Sequence, residues 1–477
     1  MLLKKNDQVS KDYDVIVIGS GLAGLTAANI LGRNGKSVLL LEAHNKLGGF
    51  ATWFYRGEQK EHIFDISLHG FPVGMIKTCK KYWSRDIAND IVQLKSVRFV
   101  NPQFNLDTTF TKEDYIKILV EKFKLSEAQV LGFFDHLASM NFYDNNLMTN
   151  RELFQKFFPD RNDVMRLLME PIVYANGSTL DDPAITYGIV FSNFMSKGVY
   201  TFKGTTEDLL NKMKNELLIN NVDIKLHSKV EEIVCENAVV KGIKLAGQMI
   251  KAKAVVSNSN LHSTIFKLAG EKSFSRDFIE KAKKVRLNSS SSQVYMGLKE
   301  GESFPFIGDL IFTSKAPEFS TDLILAKEVT SRTFSVYYPE HRPPHNRYTI
   351  VSSTNSYFKD WENLSEVQYE AEKQKMIDET VEALGEYIPD VKNKLDFIEA
   401  ATPLTVKNFT LHEQGASFGT KFEGLEVSMN MNKEISGLFH SGSVGIIMSG
   451  WLGAANYGAI TANNVESFLM TKEKNEL

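Results

Sequence analysis

Residues 14–49, DVIVIGSGLAGLTAANILGRNGKSVLLLEAHNKLGG, set three glycines directly behind an apolar, β-branched run. Asp14–Ile18 has the character of a buried parallel strand, and Gly19, Gly21 and Gly24 follow at the G-x-G-x-x-G spacing that opens a helix. Gly19 permits the tight turn, Gly21 lets the backbone approach a pyrophosphate with no Cβ in the way, and Gly24 allows the helix to pack closely on the sheet. Leu22 and Ala23 fall in the first turn of that helix, whose free N–H groups and partial positive charge suit a phosphate. Ser37–Leu41 reads as the second strand. Glu42 closes it about twenty residues after the glycines, where a carboxylate accepts hydrogen bonds from a ribose diol and repels a 2′-phosphate. The glycine spacing alone describes many tight turns; strand, turn, helix, strand and acid in this order describe a dinucleotide site.

The chain around this stretch has 477 residues, too many for one small core, and suits two domains or one large discontinuous one. An apolar fraction of 43% is that of an ordinary globular protein, and a net charge of -3 gives no reason to expect a nucleic acid or another polyanion as partner. The 32 phenylalanines suit either a core or the walls of a tunnel for a long apolar substrate, and composition does not choose between them. Two distant cysteines, Cys79 and Cys235, argue against a disulfide framework or a zinc ribbon; no metal is expected, and a reducing compartment fits. Met1–Lys11 lacks the apolar segment of a signal peptide, and no stretch approaches 18 uninterrupted apolar residues. The expectation is a cytoplasmic protein, with peripheral contact to a membrane surface left open. The short segment Lys77–Trp83 mixes basic and aromatic residues and is the candidate for such contact, against the plainer reading of a solvated helix face.

Beyond Glu42, Ala43 and a short loop lead to Gly48-Gly49, with Phe50 and Ala51 behind. With them the stretch resembles the flavin-binding βαβ unit plus double glycine of the amine oxidase and phytoene desaturase superfamily. The resemblance implies FAD as the cofactor, with Gly48 and Gly49 against its phosphates. Trp53–Tyr55 and Ile63–Ile66 read as a hairpin beside it. Phe64-Asp65 and Ser67-Leu68-His69-Gly70 stand where the phytoene desaturase family carries F-D-x-G near the flavin ring, with Ser67 in place of glycine and His69 additional. His69 is a candidate proton donor there, against the ordinary reading of a hydrogen-bonded loop histidine.

Tyr200–Ser257 resembles the same family's strand, turn, helix and strands. The resemblance implies that the backbone of Val230 lies against the adenine and that Ser257 closes a strand at the cofactor. Lys203 is a candidate for placing a charge near the flavin, a solvent-facing lysine being the ordinary alternative, and Thr205 stands where the family has a second glycine. Ala401–Gly419 resembles the T-P-x-T and glycine-aromatic-glycine stretch of the carotenoid isomerase and retinol saturase branch. Gly437–Ser443 resembles the last flavin-domain strand, with Gly442 and Ser443 in its loop. Gly450, Trp451 and Leu452 begin a small-residue helix whose N-terminus can meet a phosphate or the flavin pyrimidine.

Between these blocks, Met75–Asp160 has mostly helical patterning, including Ala88–Leu94, Lys112–Lys124 and Glu127–Met140. Two apolar helical segments flank the loop Asn176–Pro183. If a tunnel exists, Leu167, Leu168, Ile172, Tyr174, Tyr187, Val190, Phe191 and Phe194 are its expected walls, plain core being the alternative for each. Four strands after Leu268 suggest an antiparallel sheet as the floor of a substrate domain, and the serine run Ser289–Ser292 reads as a loop.

The expected fold is α/β: a discontinuous, Rossmann-like FAD domain of the glutathione reductase and amine oxidase type (residues 1–75, 196–285 and 420–477) with an α+β substrate or cap domain (76–195 and 286–419). The resemblance implies a FAD-dependent oxidoreductase acting on a long apolar polyene or isoprenoid by hydride transfer at flavin N5, in desaturation, saturation or cis-trans isomerisation. A flavin amine oxidase, with Trp451 and Tyr457 flanking the flavin, and a non-catalytic flavin or lipid carrier are the alternatives.

Overall fold

The computed structural model describes residues 12–67, 69–140 and 148–476; residues 1–11 and Leu68 lie outside them. Strand β1 (Asp12–Ile18) lies between β2 (Val38–Leu41) and Gln248–Ser257, all parallel, and Val222–Lys225 extends the sheet beyond β2. Leu438–His440 joins on the far side of the 248–257 strand, bringing the end of the chain to its beginning. An antiparallel ribbon, Glu232–Glu236 with Val239–Leu245, completes this sheet of seven strands. Strands of this kind are apolar throughout because both faces are covered: Val15, Val17, Val38 and Leu40 pack under helix α1 (Leu22–Arg33) on one side, and Ile16, Ile18, Leu39 and Leu41 pack on the other.

The second sheet also has seven strands and is antiparallel except where Val97–Val100 pairs in parallel with Leu310–Ser314. Against its back lies the helix Glu366–Gly385, buried through Met376, Val381 and Leu384. Over one end lie the helices Lys112–Glu121, Glu127–Ser139, Asn162–Asn176 and Ala184–Met195, which bury Phe133, Phe134, Phe191 and Phe194 in one apolar cluster.

Three local readings are corrected by distant pairing. Ala88–Leu94 is not one helix: a helix ends at Asn89, and Ile91–Gln93 pairs with Val199–Phe202. Val97–Val100 and Asn105–Thr108 are strands within the block patterned as helical. The serine run is no loop from Ser290 onward, because Ser290–Leu298 forms a central strand. Ser292 and Ser356, diagonal neighbours on adjacent strands, share a hydroxyl hydrogen bond of 2.8 Å. Helix Gly74–Tyr82 presents Lys77, Lys80 and Lys81 outward, but Trp83 is buried with Met75, Cys79 and Ile87 in the same apolar cluster as α1. Cys79 and Cys235 are both free thiols.

Candidate cofactor and substrate cavity

The glycine turn is built by close approach of backbone to backbone. Gly19 has φ +92° and donates its N–H to Leu41 O at 2.7 Å, which ties the turn to the end of β2. A Cβ on Gly24 would come within 2.3 Å of Gly19 O, so the third glycine lets the helix start fold back on the turn itself. Gly48 donates to Ser20 O at 2.9 Å, and a Cβ on Gly49 would lie 2.9 Å from Gly21 Cα. Two glycine segments about thirty residues apart therefore form one smooth backbone surface, as a ligand lying flat on it requires. Helix α1 begins at Gly21 without a side-chain cap and without an acid in its first turn, which leaves its N–H groups for an anion.

Glu42 holds this surface in place. One carboxylate oxygen accepts from Ser20 N at 2.9 Å and Ser20 Oγ at 2.6 Å, and the other accepts from His44 N at 2.8 Å. A carboxylate has about four acceptor positions, so the group retains capacity for a ribose hydroxyl.

Asn258, immediately after the 248–257 strand, is the residue that sequence reasoning missed. Its side chain sits between Gly19, Gly21 and Gly24, and its Nδ2 donates to Ser441 O at 2.6 Å, joining the first and last segments of the nucleotide unit. A polar residue at the carboxyl end of a central parallel strand is the available signal. Ser257, one position earlier, points to the other face and shares a 2.7 Å hydrogen bond with Thr264. Side-chain alternation along a strand makes that single step decisive.

A cavity of about 2000 Å³ opens from this surface, well above the ~300–1,000 Å³ of an ordinary small-molecule site. Of the residues expected at the cofactor, Gly19, Gly21, Leu22, Ala23, Glu42, Ala43, Gly48, Gly49, Phe50, Ala51, Val230, Ser443, Gly450, Trp451 and Leu452 line it. Gly24, Ser257 and Gly442 do not. A Cβ on Gly442 would meet Ser259 O at 2.6 Å and His440 Nε2 at 2.7 Å, so that glycine serves packing behind the surface. Trp451 Nε1 donates to Ser67 O at 3.0 Å, fixing the start of the helix Gly450–Glu476 against the loop after the first hairpin. A Cβ on Gly458 of that helix would come within 2.3 Å of Ala23 O, so the two helices meet closely.

The two candidate catalytic residues part company. Lys203 is exposed and outside the lining, and its backbone N–H donates to Asp90 O. Thr205, in the place of a family glycine, caps the helix Thr206–Ile219 in a reciprocal box with Asp208. His69 does line the cavity. Its Nδ1 is 2.8 Å from Ser335 Oγ, and its Nε2 is 3.3 Å from both Gln293 Nε2 and Ser353 Oγ. The two hydrogens of Gln293 Nε2 go to Ile66 O and Ser353 Oγ, which leaves the Ser353 hydroxyl hydrogen for His69 Nε2, and Nδ1–H donates to Ser335. Burial pushes its pKa down to about 4. Around neutral pH it is an uncharged acceptor on the cavity side, in place of the expected proton donor.

The expected tunnel walls divide in half. Ile172, Tyr174, Val190 and Phe194 line the cavity, joined by Phe110, Leu310 and Phe312. Leu167, Leu168, Tyr187 and Phe191 have no exposed surface and are packed within the helical core.

Residues 17–82 match the NAD(P)-binding Rossmann-like domain family. The chain is 23% identical to the chloroplast prolycopene isomerase of Arabidopsis thaliana, over 99% of this chain and 86% of that protein. It is 21% identical to the all-trans-retinol 13,14-reductase of Danio rerio, over 96% and 86%. The likeness to these two proteins runs along almost the whole chain. The protein is an enzyme of the oxidoreductase type. An oxidoreductase from Methanosarcina mazei (TM-score 0.66, 16% identical, 96% of this chain and 99% of that one) and putrescine oxidase bound to putrescine (0.65, 13%, 96% and 99%) share its fold. Among the described residues no helix is long and apolar enough to cross a membrane.

Proposed function

We propose that the protein belongs to the phytoene desaturase, carotenoid isomerase and retinol saturase family, binds FAD along the glycine surface and acts on a long polyene or isoprenoid chain held in the apolar end of the same cavity. One observation carries the reading: a single cavity is lined at one end by Gly19, Gly21, Glu42 and Gly48 and at the other by Ile172, Val190, Phe194 and Phe312. The residues present fit the cofactor. The uncapped start of α1 and the Cβ-free contact of Gly21 with Gly49 suit a pyrophosphate, and Glu42 suits a ribose that carries no 2′-phosphate. When bound, FAD supplies a centre that accepts or delivers a hydride. The chain supplies the rest: Trp451, anchored on Ser67, and the Phe50 loop hold the start of the apolar compartment, and the helices 162–176 and 184–195 keep water from it.

The amine reading is the weaker one. Among the described residues the three carboxylates on the lining, Glu42, Glu231 and Glu399, are engaged by Ser20 and His44, by Gly247 N–H, and by Arg56. Of the three, Glu399 already carries a counter-charge, from Arg56. The test is the visible spectrum of the flavin-loaded protein, followed anaerobically while a polyene lipid extract and then simple amines are added. Bleaching by the lipids is expected; bleaching by amines alone would overturn the reading.

A further inference from the structure

The floor of the cavity is one face of the second sheet, and its polarity changes strand by strand. One register row crosses five strands through Ala401, Gln293, Ser353, Thr333 and Phe312, and all five line the cavity. The flanking positions repeat the trend. Ser291 lies opposite Asn355 at the polar side, and Leu310 stands two residues from Phe312, on the same face, at the apolar side.

The helices above follow the same division. Ile172, Val190 and Phe194 line the cavity with Phe312, while Asn176 and His69 line it with the polar group. Asn355 Nδ2 donates to Val173 O at 3.2 Å, one turn before Asn176, which ties its strand to the helix that carries Asn176. Asn176 is 3% exposed, and its Nδ2 has no hydrogen-bond partner among the described residues. A hydrocarbon lying across this floor would exclude water from Ser353, Thr333 and Asn355 and return no hydrogen bond.

We propose that the substrate is an amphipathic isoprenoid whose uncharged hydroxyl or carbonyl group sits on Ser353, Asn355 and Asn176, with its apolar chain running past Thr333 onto Phe312 and Leu310. This rests on the polyene reading and narrows it. Gln293 is the positioning residue of the patch: its Nε2 donates to Ile66 O at 2.9 Å and Ser353 Oγ at 3.0 Å, which orients the serine hydroxyl. Every side chain in the patch is neutral, His69 included, since its burial among neutral partners disfavours the imidazolium. A carboxylate or an ammonium on the substrate finds no opposite charge there and loses its hydration.

The experiment uses the flavin-loaded protein and three probes of one skeleton: all-trans-retinol, the hydrocarbon lacking its hydroxyl, and all-trans-retinoic acid. Binding is read from the perturbation of the flavin spectrum. The alcohol is expected to bind at least about tenfold more tightly than either of the others, because a site built to hydrogen-bond a hydroxyl rejects the analogue that lacks it. Asn355→Leu and Ser353→Ala should each bring the alcohol to the level of the hydrocarbon, with flavin content and unliganded spectrum unchanged. Equal binding of alcohol and hydrocarbon by the unaltered protein would overturn the proposal without touching the polyene reading. Loss of flavin from folded variants would also overturn it, by assigning the patch to the cofactor. Failure of every polyene to perturb the flavin would remove the reading on which it rests.

Discussion

At the scale of single residues, the account turns on which atoms are missing. A side chain at Gly21 would stand on the surface shared with Gly49, and its Cβ would lie 2.7 Å from Asn258 Oδ1. Gly21→Val should therefore yield a folded protein that does not retain flavin; full flavin occupancy after purification would show that the phosphates lie elsewhere. The glycines that line the cavity were legible in the sequence because turn and strand are adjacent in the chain. Gly24, Gly442 and Ser257 were not separable from them, since spacing alone does not tell a glycine facing a ligand from one facing a carbonyl. A second residue-scale prediction concerns His440, 3% exposed, whose Nδ1 is 2.6 Å from Ser428 Oγ and whose Nε2 is 2.9 Å from Ser259 O. Burial lowers its pKa to about 4. Between pH 6.5 and 4 the unfolded chain binds the extra proton, so stability is full above this window and falls as the pH drops through it. The slope is at most about 1.4 kcal/mol per pH unit for one histidine. Urea midpoints at pH 7 and pH 5 measure it, and His440→Asn should flatten the dependence; an unchanged slope would contradict the assignment.

At the scale of elements, Asp65 locks three of them together. It closes the hairpin strand His62–Asp65, accepts from Thr206 N at 3.0 Å at the start of the 206–219 helix, and pairs with the buried guanidinium of Arg342. Asp65→Ala leaves Arg342 buried without its counter-charge and should cost about 3–5 kcal/mol. A loss below about 1 kcal/mol in urea unfolding would show that the pair is not the tie described. The hairpin and the motif were readable from sequence, but Arg342 was not, because nothing local marks a partner 277 positions away. The apolar helices illustrate the same limit. Their periodicity says that a face is buried and not what it faces, so Leu168 and Val190 read alike. Leu168→Ala should cost about 2–5 kcal/mol of stability and leave polyene affinity nearly unchanged. Val190→Ala, on the cavity wall, should weaken polyene binding with a smaller loss of stability. The reverse pattern in thermal unfolding and spectral titration would contradict the division between wall and core.

At the scale of the whole molecule, strands from residues 12–18, 38–41, 222–225, 248–257 and 438–440 come together in one sheet, and the second sheet supplies the floor of the cavity that opens from it. The α/β nucleotide unit was legible from its ends inward, since each end carries its own glycine turn. The polar-to-apolar gradient across the floor was invisible beforehand, because Gln293, Ser353, Thr333 and Phe312 become neighbours only through strand pairing. The central claim is that the glycine-lined end of this cavity is an FAD site. The most direct measurement is to denature the purified protein, separate the released cofactor and quantify it against the chain, with reconstitution by FAD if the preparation is colourless. The account predicts close to one FAD per chain; no flavin bound, even after reconstitution, would contradict it.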